Sequence, residues 1–216
     1  MTRPDMVIFD CDGVIVDSET ITNVLLQEEL AGRGLDLPLS EIERTFVGGT
    51  MLTVAEKAKA KGADLPDNWV AYFYDRMYEA LAKGTPLITG IEAVMDLLDA
   101  AGIPYAVGSN GSLEKMAITL GQHKALHARL KDHLYSAHSV GIAKPEPGMF
   151  LLAAKDFGIA PDRCAVIDDS PTGCIAARRA GMRGMGFAEH DDGARLAAEG
   201  AEVFHRMADL PGLLGL

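Results

Sequence analysis

The strongest constraint on the fold is a series of short, unbroken apolar runs separated by stretches with helical spacing. The runs are Val7-Ile8-Phe9, Tyr105-Ala106-Val107-Gly108, Leu134-Tyr135-Ser136-Ala137, Cys164-Ala165-Val166-Ile167, a weaker Gly184-Met185-Gly186-Phe187, and Val203-Phe204. Runs that are continuous instead of alternating point to strands covered on both faces, the mark of a parallel sheet. Parallel neighbours need crossovers, and helical patterns at 91–101, 146–157 and 171–180 supply them, ending at Gly102, Gly158 and Gly181. The expected class is therefore α/β, with a doubly wound, Rossmann-like parallel-sheet core. One interval breaks the alternation. Between residues 18 and 85 only amphipathic helical segments stand out, at 21–31, 51–61 and 69–81, with turns at Gly32-Arg33-Gly34 and Gly48-Gly49-Thr50. We expect a helical insertion there after the first strand, with 1–17 and 86–216 forming the core.

A chain of 216 residues with 48% hydrophobic and 24% charged residues can bury a core without cross-links. It holds no apolar run near the roughly 18 residues a membrane span requires. Asp5, Asp10 and Asp12 interrupt the stretch a secretory signal would use, so a cytoplasmic protein is expected. Cys11, Cys164 and Cys174, too few and too scattered for a disulfide framework, agree with a reducing compartment. The net charge of −11 repels phosphate backbones and anionic lipid. Neither nucleic acid nor membrane is expected as a partner, and any anionic substrate needs a local positive site.

In an open α/β sheet ligands bind beyond the carboxyl ends of the strands. Here those ends carry unusual residues: Asp10-Cys11-Asp12-Gly13, Ser109-Asn110-Gly111 and Asp168-Asp169-Ser170, with Lys144-Pro145 following the third run. A spacing of two in extended chain sends both Asp10 and Asp12 to one side and turns Cys11 away, towards the core. Singly, each motif also reads as an acidic turn or a helix N-cap, and Lys144 as a solvated lysine. Together, four carboxylates would meet one lysine and one hydroxyl. Such a cluster cannot stay ionised without a cation, and hard oxygen ligands suit Mg2+. His123 and His127 lie four apart, but no adjacent glutamate completes a zinc motif.

The ordered set Phe9-Asp10-Cys11-Asp12-Gly13-Val14 with Asp17-Ser18-Glu19, then Ser109-Asn110-Gly111, Lys144-Pro145-Glu146-Pro147, and Asp168-Asp169-Ser170 with Gly173 resembles the haloacid dehalogenase-like hydrolases. It is similar to their phosphatase and phosphomutase branch, which carries a helical cap after the first strand. The resemblance implies that Asp10 attacks phosphorus to form an aspartyl-phosphate, and that Asp12 protonates the leaving oxygen and then activates water. It further implies that Asp10, the Asp12 carbonyl and Asp169 hold Mg2+, with Asp168 a direct or water-mediated partner. Ser109 and the Asn110 backbone would hold the phosphoryl group, and Lys144 would bridge it to Asp10. Residues 18–85 would be the cap.

Within that family, β-phosphoglucomutases use a cap histidine where this chain has Thr22, and a cap arginine where Gly48-Gly49-Thr50-Met51 has none. Haloacid dehalogenation is disfavoured because Asp12 is present. The motifs, with Ser109-Asn110-Gly111 running on to Lys115-Met116, look similar to bacterial sugar-phosphate phosphatases of the 6-phosphogluconate type. The expected substrate is a small phosphorylated metabolite such as a sugar or sugar-acid monophosphate, and the expected state a monomer or weak homodimer. Arg76 is a candidate for the far end of the substrate, weighed against an ion pair. A mutase and a non-catalytic member of the fold are the alternatives.

Overall fold

The computed structural model describes residues 3–46 and 50–216. The chain divides into two compact units, one made of Met1–Asp17 with Pro86–Leu216 and the other of Ser18–Thr85.

The first unit holds a six-stranded parallel sheet in the order β3-β2-β1-β4-β5-β6. The strands are β1 Met6–Phe9, β2 Tyr105–Ser109, β3 Leu134–Ser136, β4 Cys164–Asp168, β5 Arg183–Phe187 and β6 Glu202–Phe204. All residues of β1, β2 and β4 are buried, as continuous apolar runs require. Within each strand the side chains alternate between two cores. Val7, Phe9, Tyr105, Val107, Ala165 and Ile167 face one cluster, filled by Val94, Leu98, Leu120 and Leu130. Met6, Ile8, Ala106, Cys164 and Val166 face the other, filled by Phe150, Ala153, Ala176 and Ala177. Two packed faces make this the doubly wound arrangement expected from the sequence.

The second unit is helical: α1 Glu19–Ala31, α2 Leu39–Phe46, α3 Met51–Ala60 and α4 Trp69–Ala82. Helix α2 is absent from the sequence reading. It spans only two turns, and its signal is the pair Ile42 and Phe46, four apart and both buried. Trp69 and Phe73 stack at 5.1 Å in the interior of this unit. The turn at Gly48-Gly49 lies outside the described residues, and Thr50 caps α3 by accepting from the Thr53 N–H at 3.3 Å.

In the core unit the helices are α5 Ile91–Ala100, α6 Leu113–Leu120, α7 Lys124–Leu130, α8 Ala137–Val140, α9 Gly148–Asp156, α10 Pro171–Arg179, α11 Ala194–Ala198 and α12 Leu210–Leu214. Helix α9 starts two residues later than its periodicity suggests, because Pro147 disfavours the helical region at Glu146. Ala137 opens α8 instead of closing β3. Among the described residues no helix is long and apolar enough to cross a membrane.

Candidate active site

The central strands β1, β2 and β4 end at one edge of the sheet, and the polar motifs are set there by parallel register. Phe9 pairs with Val107 on one side and Ile167 on the other, and the Asp10 N–H continues the ladder to the Ile167 carbonyl at 2.8 Å. Beyond Asp10 the chain turns sharply: the Ile15 and Val16 amides both donate to the Cys11 carbonyl at 3.0 Å, and the Gly13 amide to Val16 at 2.8 Å. Gly13 sits at φ +75°, and a Cβ there would lie 2.1 Å from Asp169 Oδ2, so only glycine lets the two acidic loops approach.

Asp10 is buried, and its Oδ1 accepts from the Cys11 amide and the Lys144 ammonium, both at 2.8 Å. Lys144 Nζ also donates to Asp168 Oδ2 at 2.7 Å and lies 5.6 Å from the centre of the Phe150 ring. Far from a solvated surface residue, Lys144 has a side chain only 3% exposed. Its backbone is clamped by Asn110, whose Oδ1 accepts from the Lys144 amide at 2.8 Å and whose Nδ2 donates to the Lys144 carbonyl at 3.3 Å. The Asn110 side chain therefore holds Lys144 in place. Asp168 Oδ1 accepts from the Ser170 amide at 3.0 Å and from its hydroxyl at 2.6 Å, so both carboxylate oxygens of Asp168 are engaged. Ser109, fully buried at the end of β2, accepts from the Gly111 amide at 2.9 Å, and Ser136 steadies the same loop by donating to the Gly111 carbonyl at 2.6 Å.

Burial raises Asp10 to about 7, and Asp168 and Asp12 add to that rise while Lys144 opposes it. Burial lowers Lys144, but Asp10 and Asp168 outweigh it and hold the ammonium well above its ordinary range. The site thus keeps its lysine charged and carries excess negative charge on its carboxylates. Oxygens of Asp10, Asp168 and Asp169 lie within 4.8 Å of one another, an all-oxygen donor set that fits a hard divalent cation. Two glycines make room for it, Gly13 against Asp169 and Gly173 against Asp168, where a Cβ would fall 1.9 Å from the carboxyl carbon.

One contact is new relative to the sequence reading. Lys115, given no role there, donates from Nζ to Asp12 Oδ1 at 2.8 Å, with both side chains under one-fifth exposed. A lysine one turn into a helix reads as solvated, so only the fold could reveal this. Cys11 points away into the core.

A family model for haloacid dehalogenase-like hydrolases matches residues 4–181. The chain belongs to this family. It is 28% identical over 214 residues to the 6-phosphogluconate phosphatase of Escherichia coli, covering 99% of this chain and 96% of that one. Hexitol phosphatase A of the same organism is 29% identical over 177 residues, 81% of this chain and 78% of its own. Among solved structures, a family hydrolase of Deinococcus radiodurans with bound phosphate and sodium is 34% identical. It superposes with a TM-score of 0.86, covering 100% and 96% of the two chains. A member from Agrobacterium tumefaciens reaches a TM-score of 0.89 at 31% identity, over 98% and 97%.

Ser109 and Asp168 are the last residues of β2 and β4, and Asp10, Asp12, Asn110, Lys144 and Asp169 lie on the loops that follow the strands. Arg76 lies on α4 of the helical unit, where Glu29 Oε2 accepts from its Nη1 at 2.5 Å. Glu29 is buried and also accepts from Arg33 at 3.0 Å and from Trp69 Nε1 at 3.3 Å. The Arg76 guanidinium is engaged in an ion pair inside its own unit. Thr22 donates its hydroxyl to the Ser18 carbonyl at 2.8 Å.

Proposed function

We propose that this hydrolase is a Mg2+-dependent phosphatase of small phosphorylated metabolites, sugar or sugar-acid monophosphates, working through an aspartyl-phosphate on Asp10. The observation that carries the reading is the buried Asp10 carboxylate, anchored through one oxygen by Lys144 and the Cys11 amide, clustered with the carboxylates of Asp168 and Asp169 and within the electrostatic reach of Asp12. Both bonds fall on Oδ1, which leaves Oδ2 the nucleophilic role. The likeness to phosphatases of 6-phosphogluconate and hexitol phosphates supports the substrate class.

Asp10 Oδ2 forms a bond to phosphorus as the ester P–O bond breaks, and the Asp12 carboxyl gives its proton to the departing oxygen. Asp12, now a carboxylate, takes a proton from water as that water attacks phosphorus, which frees phosphate and restores Asp10. The Ser109 hydroxyl and the Asn110 backbone amide bind the non-bridging oxygens of the phosphoryl group as it is transferred. Lys144 offsets the repulsion between carboxylate and phosphate dianion, and Asp168 with Asn110 holds Lys144 there. Asp10, Asp169 and the Asp12 carbonyl would hold Mg2+. When bound, the ion supplies positive charge against the developing phosphoryl charge. Residues 18–85 act as the cap that selects substrate.

Phosphate release from a panel of sugar, sugar-acid and nucleoside monophosphates, with and without EDTA, tests the proposal. Turnover on sugar phosphates that chelation removes, and that Asp10→Asn abolishes, is the expected result. Near-parental activity of Asp10→Asn, or full activity in metal-free buffer, overturns it.

A further inference from the structure

Lys115 is placed against two ordinary preferences. It occupies the first turn of α6, where its amide donates to the capping Ser112 hydroxyl at 3.0 Å, and where the helix dipole disfavours a cation. Its ammonium is also largely withdrawn from water, with the side chain 17% exposed. Lysines are seldom buried without a partner, and here the partner is Asp12 Oδ1 at 2.8 Å. The loop is shaped for the pair. At Gly111 a Cβ would lie 3.3 Å from Asp12 Oδ2, 3.2 Å from Ser109 Oγ and 3.6 Å from Lys115 Cδ, so the bare glycine leaves the space that the three side chains share. Asp12 is pinned on the Ser109 side of the site.

The site therefore divides its carboxylates between two lysines. Lys144 serves Asp10 and Asp168, and Lys115 serves Asp12. We propose that Lys115 is the positioning residue for Asp12, fixing its carboxyl where the ester oxygen departs and where the hydrolytic water arrives. This rests on the roles given to Asp10 and Asp12 above.

Lys115→Met keeps the aliphatic stem and removes the ammonium. The test compares the full-length parent, Lys115→Met and Lys115→Arg, each with Mg2+, on p-nitrophenyl phosphate and on a hexose 6-phosphate by rapid mixing. A hexose alkoxide cannot leave without a proton, whereas p-nitrophenolate can. For Lys115→Met, hexose phosphate turnover should fall at least about thirtyfold with KM within about threefold, as for a displaced general acid. With the aryl ester the first turnover should stay near the parental rate. It should give a burst of about one equivalent of p-nitrophenolate per chain, then slow turnover, because the phosphoenzyme still needs Asp12 to activate water. Lys115→Arg should recover most of the hexose phosphate activity. Equal losses on both substrates without a burst, a rise in KM alone, or unchanged kinetics would each overturn the proposal. An inactive parent, or an active Asp10→Asn protein, would instead defeat the reading on which it rests.

Discussion

Gly173→Ala separates two physical effects of opposite sign. Gly173 is the third residue of α10, and alanine favours a helix over glycine by about 1 kcal/mol, so propensity alone predicts a more stable protein. The site predicts the reverse. An alanine Cβ would stand 1.9 Å from both Cγ and Oδ2 of Asp168, so the carboxylate must withdraw by some 1.5 Å, the gap between 1.9 Å and the 3.4 Å at which ordinary contact begins. Its bonds to Lys144 Nζ at 2.7 Å, the Ser170 hydroxyl at 2.6 Å and the Ser170 amide at 3.0 Å cannot survive that shift. Breaking a buried, hydrogen-bonded charge pair costs about 3–5 kcal/mol. After the helix gain, about 3 kcal/mol of net destabilisation remains, which in a chain of this size lowers Tm by roughly 6–12 °C. Urea titration and thermal melting measure it, and phosphatase assays should show turnover lost with the displaced Lys144. A Gly173→Ala protein as stable as the parent and fully active would refute the steric argument.

Four further outcomes concern the helical unit, the buried cysteines and the loop that holds Lys144. Glu29→Ala leaves Arg33, Arg76 and the Trp69 indole N–H without their shared acceptor, so the helical unit should lose about 2 kcal/mol, read by fluorescence of Trp69, the sole tryptophan. Burial raises the Cys11 thiol well above 9, Cys164 to about 11 and Cys174 to about 12, so a thiol reagent at pH 8 should label none of them within minutes while the fold holds. Raised thiol values add stability that is complete below pH 9 and drains away as pH climbs towards 11 and 12, which denaturant midpoints across that window would register. Asn110→Ala unclamps the Lys144 backbone and should lower kcat by about ten- to a hundredfold, and an unchanged kcat would remove that role from Asn110.

Strand composition and the order of the polar motifs carried most of the architecture. Val7-Ile8-Phe9 and Cys164-Ala165-Val166-Ile167 pointed to strands covered on both faces, and the glycines after α5, α9 and α10 marked where each crossover ends. Short helices were hidden because two turns give too few apolar positions to set a period, as at Leu39–Phe46 and Lys124–Leu130. The ligand-like residues were visible as types at strand ends, but their partners were not. The Asn110 clamp on Lys144 spans 34 residues and the Lys115–Asp12 pair more than 100, and no local pattern encodes contacts of that range. Gly13 and Gly173 read as turn and helix glycines, and only the packed loops reveal that each faces a carboxylate.

The strand order has a consequence for the chain as it is made. β1 lies between β2 and β4, so its second neighbour, Cys164–Asp168, emerges from the ribosome more than 150 residues after the first strand. The helical unit, by contrast, is one uninterrupted stretch, Ser18–Thr85, and its contacts close early. Asp10 and Asp12 therefore wait through most of synthesis without Lys144, Asp168 or Asp169. A nascent hydrolase cannot act on cellular phosphate esters until three-quarters of it exists, and the exposed edge of β1 over that interval is the segment for which a chaperone would be needed.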